Sequence, residues 1–494
     1  MQFWELINRS NFLKDKFKNI EDHFKEIEIN GISNNSKNIK KNFIFFAFTG
    51  NKTNGNLYIN EARKNGAAIV ISQEEKGKDV IKLTNKDYFK IYSHLCSSFY
   101  NKKPKNIIAV TGTNGKTSVT DFCRQIWNFY GLKSASIGTL GIRDTSEQYY
   151  HNIRNNLTTL DSSELNKQLS KLYDKQISYI ALEASSHGIN QNRLDGINFN
   201  GAVFTNLSHD HLDYHKNMEN YFSAKMKLFT EYLKDGTCVS INLDDQYGME
   251  LYNKIKTKNF KFVNFGFNEK CELKLIQIKR IEKIWQLEIL YKNKLYKTDI
   301  GLVGHFQIYN ALAAASICLG LGLKQDSIFK SLSYLQTVPG RMQIVNHPLC
   351  KATIIVDYAH TPNALENAIL AVKKMNVSGK IYTLFGCGGE RDHEKRSKMG
   401  EVAFKNSDFT IITDDNPRTE DPSLIRKSII NNNPKAIEIP GRDVAIKKAI
   451  SFLKDDDVLI IAGKGHEQTQ TIGIETLPFD DVSVVKNTLD RLDP

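Results

Sequence analysis

The stretch that most constrains this chain runs from residue 106 to residue 131: NIIAV, then TGTNGKTS, then VTDFCRQIWNFYG. A β-branched run, a glycine-bearing turn and apolar residues at 119, 122, 123, 126, 127 and 130, closed by Gly131, predict a strand, a loop and a helix in direct succession. Backbone N–H groups around Gly112, Thr113, Asn114 and Gly115, with the helix N-terminus, suit phosphate; Lys116 would neutralise the terminal phosphates and the Thr117 hydroxyl would reach magnesium. Residues Gly112 through Ser118 are therefore the expected nucleotide contacts. The usual loop carries glycine where this chain has Val110, and the extra glycine stands instead at Gly112. A loop of this kind implies a nucleotide and leaves the reaction open.

The same alternation recurs downstream. NIIAV, SYIAL, GAVFT and TCVSI in the middle, and ATIIV, KIYTLF, FTIIT and VLIIA towards the end, are each followed by polar loops and helical patterns. This predicts an α/β protein with parallel sheets and crossover helices. At 494 residues the chain is too long for one ordinary core. Breaks at NKKPKN and near TVPGRMQ suggest segments 1–103, 104–338 and 339–494.

Seven cysteines, at 96, 123, 238, 271, 318, 350 and 387, form no Cys-x-x-Cys pair, so neither a disulfide framework nor a zinc site is indicated and a reducing cytoplasm fits. The formal charge of +12 comes from lysines spread along the chain without an aromatic–basic stripe. That pattern reads as a solvated surface, or as attraction for a small polyanionic substrate, rather than as nucleic-acid binding. No apolar run reaches membrane-spanning length, and ALAAASICLGLGL reads as a buried helix.

Open α/β sheets bind ligands at the carboxyl ends of their strands, which here carry EASSHG, NLSHDHLDYH, DYAHTP, GCGGERD, DDNPR and GKGHE. Glu183 and His211 fall at such ends, and a carboxylate and an imidazole suit a second magnesium or manganese. Lys225, in YFSAKMKLF, is by periodicity a helix lysine that spacing does not separate from Lys227.

Taken together, TGTNGKTS, EASSHG, TNLSHDHLDYH, YFSAKMKLF, PGRMQ, DYAHTP, FGCGGERDHEKR, DDNPRTEDP and GKGHE resemble the Mur ligase family in its diaminopimelate-adding form, over nearly the whole chain. The displaced glycine is this family's own variant of the loop. The resemblance implies a central phosphate-loop ATPase-like sheet, a C-terminal Rossmann-like α/β domain that binds the amino acid, and a smaller N-terminal α/β domain that binds the UDP-substrate. It further implies an ATP-dependent, magnesium-requiring ligase of peptidoglycan-precursor synthesis. Such an enzyme joins meso-diaminopimelate to UDP-N-acetylmuramoyl-L-alanyl-D-glutamate through an acyl phosphate, acting as a cytoplasmic monomer.

Residue by residue, Lys116, Glu183, His211 and Lys225 match the catalytic set. Thr117, Glu183, His211 and a carbamylated Lys225 match the metal ligands. Asn310, Arg341, Asp357 and His360 match positions on the ATP face. Ser36, Asn51, Lys52, Thr53, Thr158, Thr159, Ser185, Gln191 and Arg193 match contacts to the UDP-substrate. Arg391, Asp415, Asn416, Pro417, Arg418, Gly463 and Glu467 match the diaminopimelate site. The chain departs from the family pattern at Asn35 and Lys37, where an Asp-Ser-Arg signature is usual, at Leu157 and Leu160 around the paired threonines, and at Gln307. Two other classes share parts of the pattern. A related ligase, adding lysine here or glutamate to folate, would keep the ATP and metal residues. A nucleotide switch would have no need of Glu183, His211 and Lys225 together.

Overall fold

The computed structural model describes residues 1–49, 54–83, 87–145, 149–150, 157–281, 284–347, 350–375, 378–431 and 433–491. They form two compact units. The first comprises Met1–Thr111, Gly131–Ala202 and Ser223–Thr237; the second comprises Gly112–Tyr130, Val203–Phe222 and Cys238–Pro494.

The first unit opens with a four-stranded parallel sheet in sequential order, Gly31–Ser33, Phe43–Ala47, Ala67–Ser72 and Val80–Lys82. Alternation along the strands fills two cores. Ile44, Phe46, Ile69 and Ile71 join Phe3, Leu6 and Ile7 on one face, while Phe45, Ala47 and Val70 meet Ile59 and Ala62 on the other. Its second sheet sets Asn106–Thr111, Tyr179–Glu183 and Ser134–Gly138 side by side in parallel, with Gly141–Asp144 antiparallel beyond them. Helix Ser162–Asp174, capped by Asp161, joins the two sheets. Ser163 Oγ donates to the Ile32 carbonyl at 2.7 Å, and Tyr92 donates to Asp161 Oδ1 at 2.7 Å.

In the second unit the loop helix Lys116–Phe129 packs on helix His305–Gly320, whose residues are buried almost throughout, as a helix apolar all round must be. The antiparallel strands Leu273–Ile281, Ile284–Tyr291 and Lys294–Ile300 form a separate sheet. The C-terminal sheet has the order Gln343–Val345, Thr353–Asp357, Val458–Ala462, Ile381–Phe385, Phe409–Ile412, Ala436–Glu438, parallel except at its first strand. Cores lie on both faces. Because the last strand inserts between two earlier ones, DYAHTP, GCGGERD and GKGHE emerge at adjacent carboxyl ends, where a doubly wound sheet opens a crevice.

All eight strand runs read from the sequence are strands, to within a residue at each end. Among the described residues no helix is long and apolar enough to cross a membrane.

One buried ion pair ties the end of the chain to this sheet. Arg442 donates through Nε and Nη2 to Asp481, both at 2.7 Å, and through Nη2 to the Ala462 carbonyl, with both side chains fully buried. Asp481→Ala strands a desolvated guanidinium and is expected to cost about 3–5 kcal/mol. Urea denaturation checks this as a lowered midpoint at unchanged m.

Candidate active site

The phosphate loop is shaped by its neighbours in the second unit. The Thr113 and Asn114 amides donate to the Asn206 carbonyl and side chain at 2.9 and 3.0 Å, and Thr205 Oγ1 donates to the Asn114 carbonyl at 2.7 Å. Gly112 has φ +147°, and a Cβ there would lie 1.9 Å from Thr205 Oγ1. Gly115 has φ +90°, and its Cβ would lie 2.3 Å from Asn310 Oδ1. Asn310 Nδ2 in turn donates to Gln307 at 2.9 Å, which gives this family departure a defined place. Gly115 caps the loop helix without a side chain, so the helix's positive end faces the cleft. Lys116 Nζ lies back over the loop, 2.9 Å from the carbonyls of both Gly112 and Thr113. Gly115→Ala adds both a clash and left-handed strain. It is expected to weaken ATP binding at least about tenfold, measured by calorimetry.

A cleft of about 570 Å³ opens beside the loop, lined among others by Asn114, Gly115, Asn310, Arg341, Asp357 and His360. Arg341 reaches across it. Its Nη2 donates to Thr117 Oγ1 at 3.3 Å, its guanidinium lies 4.4 Å over the Tyr358 ring, and Nη1 lies 3.4 Å from His466 Nδ1. Asp357 accepts from the Met342 and Ala359 amides at 2.7 and 2.8 Å and so holds the backbone that carries Arg341. Burial raises the Asp357 carboxyl above its ordinary range, opposed by Arg341. Burial likewise lowers His360, with Lys395 acting in the same direction, so the imidazole favours the neutral form. Tyr358, Asn206 and His466 were not singled out from the sequence, although His466 stands within GKGHE.

A second group lies in the first unit. Glu183 is buried at its strand end, where its Oε1 accepts from the Thr139 amide at 2.8 Å and its Oε2 from the Thr139 hydroxyl at 3.1 Å. Thr159 Oγ1 donates to the Glu183 carbonyl at 2.8 Å and lies 3.0 Å from Ser185 Oγ. Arg193 donates to the Thr159 carbonyl at 2.7 Å and to Gln191 at 2.6 Å, and Thr139 donates to Thr158 at 3.3 Å. Thr158, Thr159, Ser185, Gln191, Arg193 and Glu183 thus form one hydrogen-bonded cluster. Leu157 stands partly exposed beside them.

Lys225 is buried, 1% exposed. His211, in the second unit, is exposed at φ +54° with Asp210 at 3.5 Å. Ser36 is buried and donates to Glu61 at 2.6 Å, and Asn35 caps the turn through the Lys37 amide at 3.0 Å, beside a cleft of about 460 Å³. Asn51, Lys52 and Thr53 lie outside the described residues. Among the described residues no group of three or more His, Cys, Asp or Glu is arranged to hold a metal.

The third group gathers at the carboxyl edge of the C-terminal sheet. Asn416 Nδ2 donates to Glu467 Oε2 at 3.0 Å, and the buried Lys464 donates to Asn416 Oδ1 at 3.2 Å and to Glu467 at 3.1 Å. Gly463, at φ +112°, leaves room for Asp415, whose Oδ2 would meet a Cβ at 2.8 Å. Arg418 donates to the Gly389 carbonyl, and the exposed Arg391 lies beside the same glycine turn. Pro417 is buried in the turn between them. Asp415 and Arg418 therefore stand within one turn of chain, and Glu467 joins them through Asn416. Lys464 is the member of this group that sequence reading passed over.

Family models match the chain in three places: the Mur ligase family catalytic domain over residues 28–103, the Mur ligase middle domain over 110–318, and the Mur ligase glutamate ligase domain over 340–465. A UDP-N-acetylmuramoyl-L-alanyl-D-glutamate–2,6-diaminopimelate ligase of Rickettsia typhi is 40% identical over 475 residues, covering 95% of each chain. The protein of that name from Agrobacterium fabrum is 39% identical and covers 94% of each. A solved structure of a ligase so named has a TM-score of 0.66 at 30% identity, covering 97% of this chain and 99% of its own. A folylpolyglutamate synthase from Mycobacterium tuberculosis, complexed with ADP and AMPPCP, shares the fold at TM-score 0.62 and 16% identity. These matches over nearly the whole chain make it an ATP-dependent ligase that forms an amide bond. The chain belongs to the Mur ligase family.

Proposed function

We infer that the chain adds meso-diaminopimelate to UDP-N-acetylmuramoyl-L-alanyl-D-glutamate in peptidoglycan-precursor synthesis. The observation that carries this reading is the Asp415–Arg418 turn, which holds the Arg418 guanidinium on the Gly389 carbonyl and Asn416 against the Glu467 carboxylate, in a chain that matches diaminopimelate ligases over 95% of its length. Diaminopimelate differs from lysine by a distal carboxylate, and Arg418 is the cation for it; Asp415 and Glu467 suit the ammonium.

A carboxylate is a poor electrophile at neutral pH. The D-glutamate carboxylate oxygen attacks the γ-phosphorus of ATP, the bond to the departing ADP oxygen breaks, and an acyl phosphate results. The amine lone pair of diaminopimelate then attacks the acyl carbon. The tetrahedral intermediate expels phosphate, and the nitrogen loses its proton to give the amide. Lys116 and the amides at the start of the loop helix hold the phosphates, the Thr113 and Asn114 amides being taken by Asn206, and Arg341 lies where charge gathers on transfer. The cluster of Thr158, Thr159, Ser185, Gln191 and Arg193 supports a role in holding the peptidyl end of the UDP-substrate, and Ser36, with Asn51, Lys52 and Thr53, its nucleotide end.

Thr117, Glu183 and His211 are the residues that would hold magnesium. Glu183 accepts only two of the about four hydrogen bonds open to a carboxylate, which leaves capacity for a cation. Magnesium there would neutralise charge on the transferring phosphoryl group. Lys225, buried and one helical turn before Phe229, would join this set as a carbamate, which replaces an ammonium by oxygen ligands. Mass measurement under carbon dioxide is then expected to show the added group at Lys225. Lys225→Ala is expected to bind ATP normally and to lose ligation by about 10²-fold or more.

The division into 1–103, 104–338 and 339–494, with UDP-substrate, ATP and amino acid assigned in that order, belongs to the same reading, as do a monomeric state and a cytoplasmic setting. The test is phosphate release by purified protein with ATP and UDP-muramoyl-dipeptide against a panel of amino acids. Release that depends on meso-diaminopimelate supports the reading, whereas equal or better use of L-lysine replaces it.

A further inference from the structure

The turn that carries Asp415, Asn416 and Arg418 is strapped by a hairpin, Thr469–Ile472 paired with Glu475–Pro478. Gln470 Nε2, itself buried, donates to the Asp415 carbonyl at 2.6 Å. The Thr471 amide donates to Asn416 Oδ1 at 2.9 Å. The Arg418 amide donates to the Thr471 carbonyl at 3.1 Å, and the Gly473 amide donates to the Arg418 carbonyl at 2.7 Å. Both backbone groups of Arg418 are therefore engaged by one hairpin.

The grip matters because Arg418 has φ +53°, a left-handed conformation that a non-glycine residue rarely adopts without support. That conformation sends the guanidinium over the Gly388–Gly389 turn, where a Cβ on Gly388 would lie 3.0 Å from Nη1. The grip also orients Asn416. With Oδ1 taken by the Thr471 amide and by Lys464, the amide nitrogen is left to face Glu467 Oε2. A two-stranded hairpin is marginal by itself, so these four bonds anchor the hairpin as much as they fix the turn.

We propose that the hairpin of residues 469–478 is a positioning element for amino-acid choice: Gln470, Thr471 and Gly473 hold Asp415, Asn416 and Arg418 in the arrangement that separates diaminopimelate from lysine. This rests on the ligase reading above. None of the three touches the reacting atoms; they act through the turn.

The experiment uses the full-length chain with two hairpin variants and one control. Gln470→Leu keeps the bulk and removes the donor. Gly473→Ala places a methyl in open space, with nothing within 4 Å, and disturbs only the left-handed backbone at φ +61°, so it tests the strap even where Gln470→Leu fails to fold. Ile474→Ser, at the 94% exposed tip, leaves all four bonds in place. Both hairpin variants are expected to raise KM for meso-diaminopimelate about tenfold and to narrow its preference over L-lysine about as much, with KM for ATP and for the UDP-substrate unchanged. Ile474→Ser is expected to match the unaltered chain. A fall in kcat with KM and preference intact, or hairpin variants indistinguishable from the parent, overturns the strap while the ligase reading stands. A parent chain that ligates no diaminopimelate overturns both.

Discussion

Lys116→Ala is expected to lower kcat/KM by about three orders of magnitude, or ~4 kcal/mol of transition-state stabilisation, while affinity for the UDP-substrate stays nearly intact. The ammonium is held 2.9 Å from two carbonyls of its own loop, so it is already placed over the cradle that the Gly112 and Gly115 backbone makes. Phosphoryl transfer leaves little covalent work to the protein and depends on charge set in position. Steady-state kinetics check the rate and equilibrium binding checks the UDP-substrate. A variant that turns over within about threefold of the parent would remove the loop from the reaction.

The second large effect concerns Arg418. Lysine offers no distal carboxylate, so its binding leaves the guanidinium with the Gly389 carbonyl but no anion in a partly buried turn, a penalty of about 2–5 kcal/mol when a desolvated pair is broken on one side. That corresponds to about 30-fold to several-thousand-fold preference for meso-diaminopimelate. Arg418→Ala is expected to lose most of this preference, through poorer use of diaminopimelate rather than better use of lysine. Competition between the two amino acids, read by product mass, gives the ratio directly. Equal use of both by the unaltered chain would mean that Arg418 serves another group.

The sequence made some of this arrangement legible and concealed the rest for physical reasons. Parallel strands buried on both faces are near-continuous apolar runs, so all eight could be read, and the loops behind them follow from where α/β sheets open. The strands from Leu273 to Ile300 mix exposed apolar and polar residues, such as Ile276, Ile281 and Ile284 on the solvent side, which blurs their alternation. Asp357 stood out by position and type. That one of its oxygens serves the Ala359 amide is local, but that the other serves the Met342 amide depends on a fold that brings residues 15 apart together, which spacing alone does not express. Lys464 lay in plain view within GKGHE, three residues before its partner Glu467, yet its contact to Asn416 emerges only when the last strand inserts into the sheet. The hairpin that holds Arg418 has no chemical signature at all: its contribution is made by backbone groups and one glutamine.

The most direct measurement of the central claim uses UDP-N-acetylmuramoyl-L-alanyl-D-glutamate labelled with ¹⁸O in its D-glutamate carboxylate, incubated with ATP, magnesium and meso-diaminopimelate. Mass spectrometry then reads the product and the released phosphate. The expected result is a tripeptide product of diaminopimelate, with one labelled oxygen carried from the carboxylate into each phosphate released. Phosphate without label, or released with no amide product, would contradict ligation through an acyl phosphate at this site.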